Sequence, residues 1–122
     1  MSKYRNNKTE VDGMVFDSRK EAYYYKKFKL MLLAGEISNL RTQVTYELVP
    51  AIWRDEVKHL KTKDKIVKKL VQRAINYIAD FVYTSTATGE ECVIDCKGFR
   101  TKEYLIKKKM MLALKGISII EV

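Results

Sequence analysis

The sequence predicts a mixed α/β domain, with a central β-sheet flanked by helices and elements in the order α-β-β-β-α-β. Three observations carry this expectation. One helical stretch runs between Ser18 and Gly35, and another between Thr101 and Gly116. Runs rich in β-branched and aromatic residues lie between and after them. At 122 residues the chain reads as one domain, 1–122, long enough to bury a core without disulfide or metal staples.

Residues 1–13 are polar and basic, end in Val11-Asp12-Gly13, and read as an arm or short hairpin leading into Met14–Phe16. Ser18 as N-cap, with Glu21 three residues on, fits a capping box. Glu21, Tyr25, Phe28 and Leu32 fall on one face of the helix that follows, and Gly35 supplies its C-cap, giving a helix over about residues 18–34. Residues 42–53 read as a strand with Pro50 near its exposed end; Gln43 and Tyr46 suggest that one face meets the core. Residues 54–73 form a charged insert with eight Lys or Arg and three Asp or Glu. Its spacing fits an amphipathic helix or a long hairpin, and the hairpin is the preferred reading. His59, the one histidine, sits in this insert with no second imidazole nearby, so no Ser/His/Asp or Cys/His arrangement is supported.

Residues 75–83 and 92–97 read as two strands joined by a polar turn over 84–91. Thr101 caps a second helix of about fifteen residues, closed by Gly116, and residues 117–122 form a final strand.

The net charge of +9 favours a polyanionic partner, nucleic acid first and an anionic membrane second. No apolar run approaches the roughly 20 residues that span a bilayer. Neither helix sets a clean basic face against bulky apolar residues, which disfavours membrane-surface binding. The first ten residues lack an apolar signal region. Cys92 and Cys96 fall on one strand face, poorly placed for a disulfide, and no further cysteine offers a zinc framework. A reducing cytoplasm is the expected compartment.

Asp80, Asp95 and Lys97 interrupt runs that otherwise look like core strands. Alternation puts Asp95 and Lys97 on one face and Cys96 on the other, and hairpin pairing would set Asp80 beside Asp95. Such a cluster is costly inside a core unless its charges are paired or hold a metal. Mg²⁺ takes one or two carboxylates plus water and phosphate, so Asp80, Asp95 and a backbone carbonyl near Cys96 could form part of its shell. Lys97 could orient or deprotonate water, or neutralise developing charge. A structural Asp–Lys ion pair is the metal-free reading. Arg100, Lys102, Lys107, Lys108 and Lys109 follow the cluster directly and form a candidate phosphate-binding surface.

Ala79-Asp80-Phe81-Val82-Tyr83, a glycine-containing turn, then Cys92-Val93-Ile94-Asp95-Cys96-Lys97-Gly98 resembles the PD-(D/E)XK nuclease superfamily. More closely, the segments 11–22, 77–83 and 95–109 are similar to a short phage-borne family assigned to that superfamily, and the compact layout is similar to phage junction-resolving endonucleases. The resemblance spans nearly the whole chain. It implies a restriction-endonuclease-like fold, a Mg²⁺-dependent activity on DNA in which Mn²⁺ substitutes, Asp80 and Asp95 as metal ligands, and Lys97 as catalytic lysine. It makes Glu21 the acidic residue of the first helix, bound to metal directly or through water, a role compatible with capping. Ala79 stands where the motif has proline, and Asp95 where many members carry Glu. The resemblance further implies recombination or genome processing in a bacterial host cell, with branched, Holliday-junction-like DNA as a candidate substrate and a homodimer to match its symmetry. The alternative from another class is a DNA-binding accessory protein without catalysis.

Overall fold

The computed structural model describes residues 8–97 and 99–122. The first seven residues of the expected arm, and Gly98 of the lysine motif, lie outside the described residues. In chain order the elements are β1 (Thr9–Val11), β2 (Met14–Phe16), α1 (Arg19–Leu33), β3 (Ile37–Val49), β4 (Ile52–His59), β5 (Asp64–Gln72), β6 (Ile75–Ser85), β7 (Glu91–Asp95), α2 (Lys102–Lys115) and β8 (Ile120–Glu121).

The caps behave as their residue types require. Ser18 holds an extended backbone, and its hydroxyl accepts the Glu21 N–H at 3.1 Å. Among the described residues Glu21 does not bond back to the Ser18 N–H, so only half of the capping box forms and the carboxylate is left for other work. At the other end Ala34 is the cap. Gly35 follows at φ 76°, and the N–H groups of Gly35 and Glu36 reach back to the carbonyls of Leu32 and Met31. That is a Schellman turn, which needs a residue at ease with positive φ. Thr101 and Gly116 cap α2 as expected. Asp12 and Gly13, both at positive φ, make the two-residue turn between β1 and β2.

The central sheet has the order β3-β6-β7-β8. The first three strands run antiparallel and β8 lies parallel to β7, after the α2 crossover. This is the mixed sheet expected from the element order. A cluster of Phe16, Ala22, Tyr25, Phe28, Ile37, Phe81 and Ile94 joins α1 to one face. Leu48, Tyr77, Ala79, Val82, Val93, Tyr104, Met111 and Ile119 join α2 to the other. No helix among the described residues is long and apolar enough to cross a membrane.

Several boundaries differ from the sequence reading. The strand expected over 92–97 is Glu91–Asp95, leaving Cys96 and Lys97 beyond its end, and the one expected over 75–83 runs on to Ser85. The strand expected over 42–53 starts at Ile37 and stops at Val49, because Pro50 cannot donate to a ladder. Ile52 and Trp53 belong instead to β4. The last strand is confined to Ile120–Glu121, since β7 offers it only Ile94 and Asp95 as partners. The charged insert is the hairpin β4–β5, a two-stranded sheet of its own whose residues are exposed apart from half-buried Val67.

Stability should therefore reside in the body. Phe81 is fully buried, with its ring against Phe16, Tyr25 and Phe28. Phe81→Ala is expected to cost about 3–5 kcal/mol in urea unfolding, and Ile66→Ala on the hairpin less than about 0.5 kcal/mol.

Candidate functional site

The hairpin register brings the two aspartates together. Phe81 pairs with Ile94 and Val82 with Val93, so the next step of the same ladder sets Asp80 opposite Asp95. Backbone bonds lock the arrangement: the Cys96 N–H donates to Asp80 Oδ2 at 2.8 Å, and the Val122 N–H donates to the Asp95 carbonyl at 3.0 Å.

Asp95 is 1% exposed and is the one buried charged residue among those described. The Tyr77 hydroxyl donates to its Oδ2 at 2.5 Å. Lys97 Nζ stands 3.1 Å from Oδ1, close enough for an ion pair. It is not aligned as a hydrogen bond, so the buried Oδ1 keeps a lone pair without a donor. Lys97 is itself steadied by the Tyr104 ring, 4.4 Å below its ammonium. Lys20 of α1 donates to the Lys97 carbonyl at 3.3 Å.

Asp80 sits where the sheet changes phase. Along β6, Tyr77 and Ala79 face α2, Phe81 faces α1 and Val82 faces α2 again, so strict alternation fails between Ala79 and Phe81. The β3–β6 ladder keeps its register here, Thr42↔Phe81 and Val44↔Ala79, but the pair between them is unmatched, and the intervening Gln43 has φ 52°. A glutamine at positive φ costs on the order of 1–3 kcal/mol, and such irregularities gather at functional sites. Burial raises the Asp80 carboxyl to about 6, and the Asp95 charge adds to the rise. The Cys96 N–H, Lys97 and the Gln43 side chain oppose it.

Glu21 faces the same cluster from α1. Burial first, then the charges of Asp80, Asp17 and Asp95, raise its carboxyl to about 7, while Lys97 pulls the other way. Burial and the carboxylates of Asp80, Glu21 and Asp95 push the Cys96 thiol up to about 12, which leaves it an inert packing residue. Cys92 and Cys96 are both free and pack on the α1 side.

Glu21, Asp80 and Asp95 thus repel one another, and Lys97 is the cation that offsets their charge. Among the described residues no three His, Cys, Asp or Glu side chains come together as a group that could hold a metal ion. Carboxylate oxygens without histidine or thiolate donors are the ligand type of Mg²⁺ rather than of zinc.

The basic residues fare unevenly. Arg100 and Lys108 both pair with Glu121, Arg100 Nε at 2.9 Å and Lys108 Nζ at 2.5 Å. Lys107 pairs with Glu103 one helical turn back. Lys102 and Lys109 are exposed and make no ion pair among the described residues. Glu121 was not expected at the site. It lies beside Asp95 in the parallel β7–β8 register, and Lys108 above all holds its carboxyl below the usual range. Tyr77, Gln43 and Lys20 also escaped the sequence reading. Tyr77 and Gln43 look like ordinary members of strands, and Lys20 like any surface lysine of a first helical turn.

Residues 1–116 match the family described as protein of unknown function (DUF1064), and the chain belongs to that family. No curated protein and no solved structure matches it.

The raised carboxyls fix a pH dependence. Glu21 and Asp80 hold their protons in the fold to about 7 and about 6, against 4.5 and 3.8 in a free chain. Between those limits the folded state binds more protons than the unfolded one, so stability falls as pH rises. Thermal melts in EDTA from pH 4.5 to 7.5 should show the decline, and Glu21→Gln with Asp80→Asn should flatten it. Tyr77→Phe, which strands Asp95 Oδ2, should cost about 1–3 kcal/mol.

Proposed function

We propose that this DUF1064 protein is a Mg²⁺-dependent endonuclease of the PD-(D/E)XK type that hydrolyses DNA phosphodiester bonds. The observation that carries the reading is Asp95: buried at 1% exposure, opposite Asp80, with an undonated Oδ1 beside Lys97 Nζ. A fully buried carboxylate with one oxygen hydrogen-bonded and the other held only by an ion pair is an unusual core residue. The sheet with one helix on each face is read as restriction-endonuclease-like.

Asp80 and Asp95, with Glu21 and the Cys96 carbonyl, are the residues to hold the metal. Mg²⁺ bound there would supply Lewis-acid polarisation of the scissile phosphate, and Mn²⁺ would do the same. Asp95 draws its precision from Tyr77, which fixes one carboxylate oxygen and leaves the other directed at Lys97. Lys97 brings a fixed ammonium to the point where negative charge grows on the phosphate, and the Tyr104 ring keeps it there. Lys102 and Lys109, exposed on α2, add attraction for the backbone. Arg100, Lys107 and Lys108 add to it only by loosening their carboxylate pairs. The reading extends to phage recombination or genome processing in a host cytoplasm, on branched DNA, by a homodimer.

A second reading, DNA binding without catalysis, draws on the Asp95–Lys97 contact itself, which at 3.1 Å makes each charge the other's partner. Cleavage of linear duplex, single-stranded and four-way-junction DNA in Mg²⁺, Mn²⁺ or EDTA separates the two. Metal-dependent cutting is expected, reduced at least about 100-fold in Asp95→Asn and in Lys97→Gln with DNA binding retained. Equal activity in both variants removes the site assignment, and binding without cutting on every substrate establishes the second reading.

A further inference from the structure

The hairpin β4–β5 divides its chemistry between two faces. Residues directly opposite in an antiparallel pair share a face. One face carries Trp53, Val57, Ile66 and Leu70, with an Asp55–Lys68 ion pair and a His59–Asp64 hydrogen bond. The other sets Arg54 directly opposite Lys69 and Lys58 directly opposite Lys65. All four are exposed, and the single carboxylate near them, Glu56, reaches Lys69 only at 3.6 Å.

Like charges placed directly across a ladder destabilise it. A two-stranded hairpin packed on nothing is marginal to begin with. Two such pairs on one face therefore cost stability that the Glu56–Lys69 contact offsets only in part, whereas a polyanion laid along that face would turn both repulsions into attraction. The dimensions agree. Eight residues at about 3.3 Å rise give a ribbon about 26 Å long, and a two-stranded ribbon is the β element that a major groove of about 12 Å admits. The segment 54–73 also holds eight Lys or Arg against three Asp or Glu, so more than half of the chain's +9 excess lies in this projection.

We propose that the face of β4–β5 bearing Arg54, Lys58, Lys65 and Lys69 is a nucleic-acid-binding arm that grips phosphates along a DNA groove, outside the catalytic cluster. This rests on the reading of DNA as the substrate. Without a partner the arm is a strained, exposed ribbon; on DNA the four cations release counterions and hold the duplex for the carboxylates to act on.

The test is anisotropy of a labelled duplex of about 30 base pairs in EDTA, so that nothing is cut, over about 50–300 mM NaCl. It compares the full chain with a variant carrying Arg54, Lys58, Lys65 and Lys69 all →Gln, with Lys58→Gln alone, and with a charge-matched control in which Lys26, Lys27, Lys29 and Lys115 become Gln. The slope of log affinity against log salt should fall by about 3–4 in the quadruple arm variant, by about 0.9 in the single one, and by less than about 1 in the control. The arm variants should melt no lower than the wild type, because like-charge pairs are removed. A slope unchanged in the arm variants, or lowered equally by the control, overturns the proposal, as does a loss of affinity that accompanies a change in oligomer mass by light scattering. Wild-type protein that cuts DNA while the arm variants keep the full slope overturns the arm alone. Wild-type protein that neither binds nor cuts DNA removes the nuclease reading and the arm with it.

Discussion

The burial of Asp95 is the constraint that the rest of the molecule serves. An ionised carboxylate taken out of water costs several kcal/mol unless its oxygens are engaged. Here one oxygen is held by Tyr77 from β6 and the other faces Lys97, two residues past the end of its own strand. Each partner has a further requirement. Tyr77 must sit on the α2 face of β6, which makes it a core residue, and Lys97 needs the Tyr104 ring beneath it, which places α2. The parallel strand β8 then fastens the backbone of Asp95 through Val122. Core and candidate site are thus built from the same side chains, and changes near the carboxylate act on stability and chemistry together.

Much of this was legible in the chain. The polar turn between two β-rich runs implied a hairpin, and its register, continued one step beyond Phe81↔Ile94, puts Asp80 across from Asp95. Ser18, Thr101 and Gly116 announced the helix ends, because capping is a local transaction between a side chain and nearby N–H groups or between a glycine and its φ angle. What stayed hidden depends on contacts distant in sequence. Nothing in Thr-Gln-Val-Thr signals that Gln43 adopts φ 52° to let two strands change phase at Asp80. Glu121 looks like a polar residue in a short final strand until the parallel register lays it beside Asp95. The lysine run of α2 reads as one surface, yet the fold assigns Lys107 and Lys108 to different carboxylates.

The distribution of charge then takes on a pattern. Near the carboxylates, several cations are internally compensated, and Arg100 and Lys108 meet on Glu121. On β4–β5, cations oppose cations and lie in the open. Compensation is thus the rule near the cluster, while one face of the ribbon carries an excess of positive charge. On the proposed reading, a divalent ion would complete the charge balance at the cluster, and attraction for a polyanion would be carried by the ribbon.

The central claim is that Glu21, Asp80 and Asp95 form a cation site. Paramagnetic broadening of backbone amides during a Mn²⁺ titration near pH 7.5 tests it without DNA or turnover. The account predicts broadening centred on the amides of Cys96 and Glu21, lost in Asp80→Asn and in Asp95→Asn. Broadening centred elsewhere, or unchanged in those variants, would contradict it.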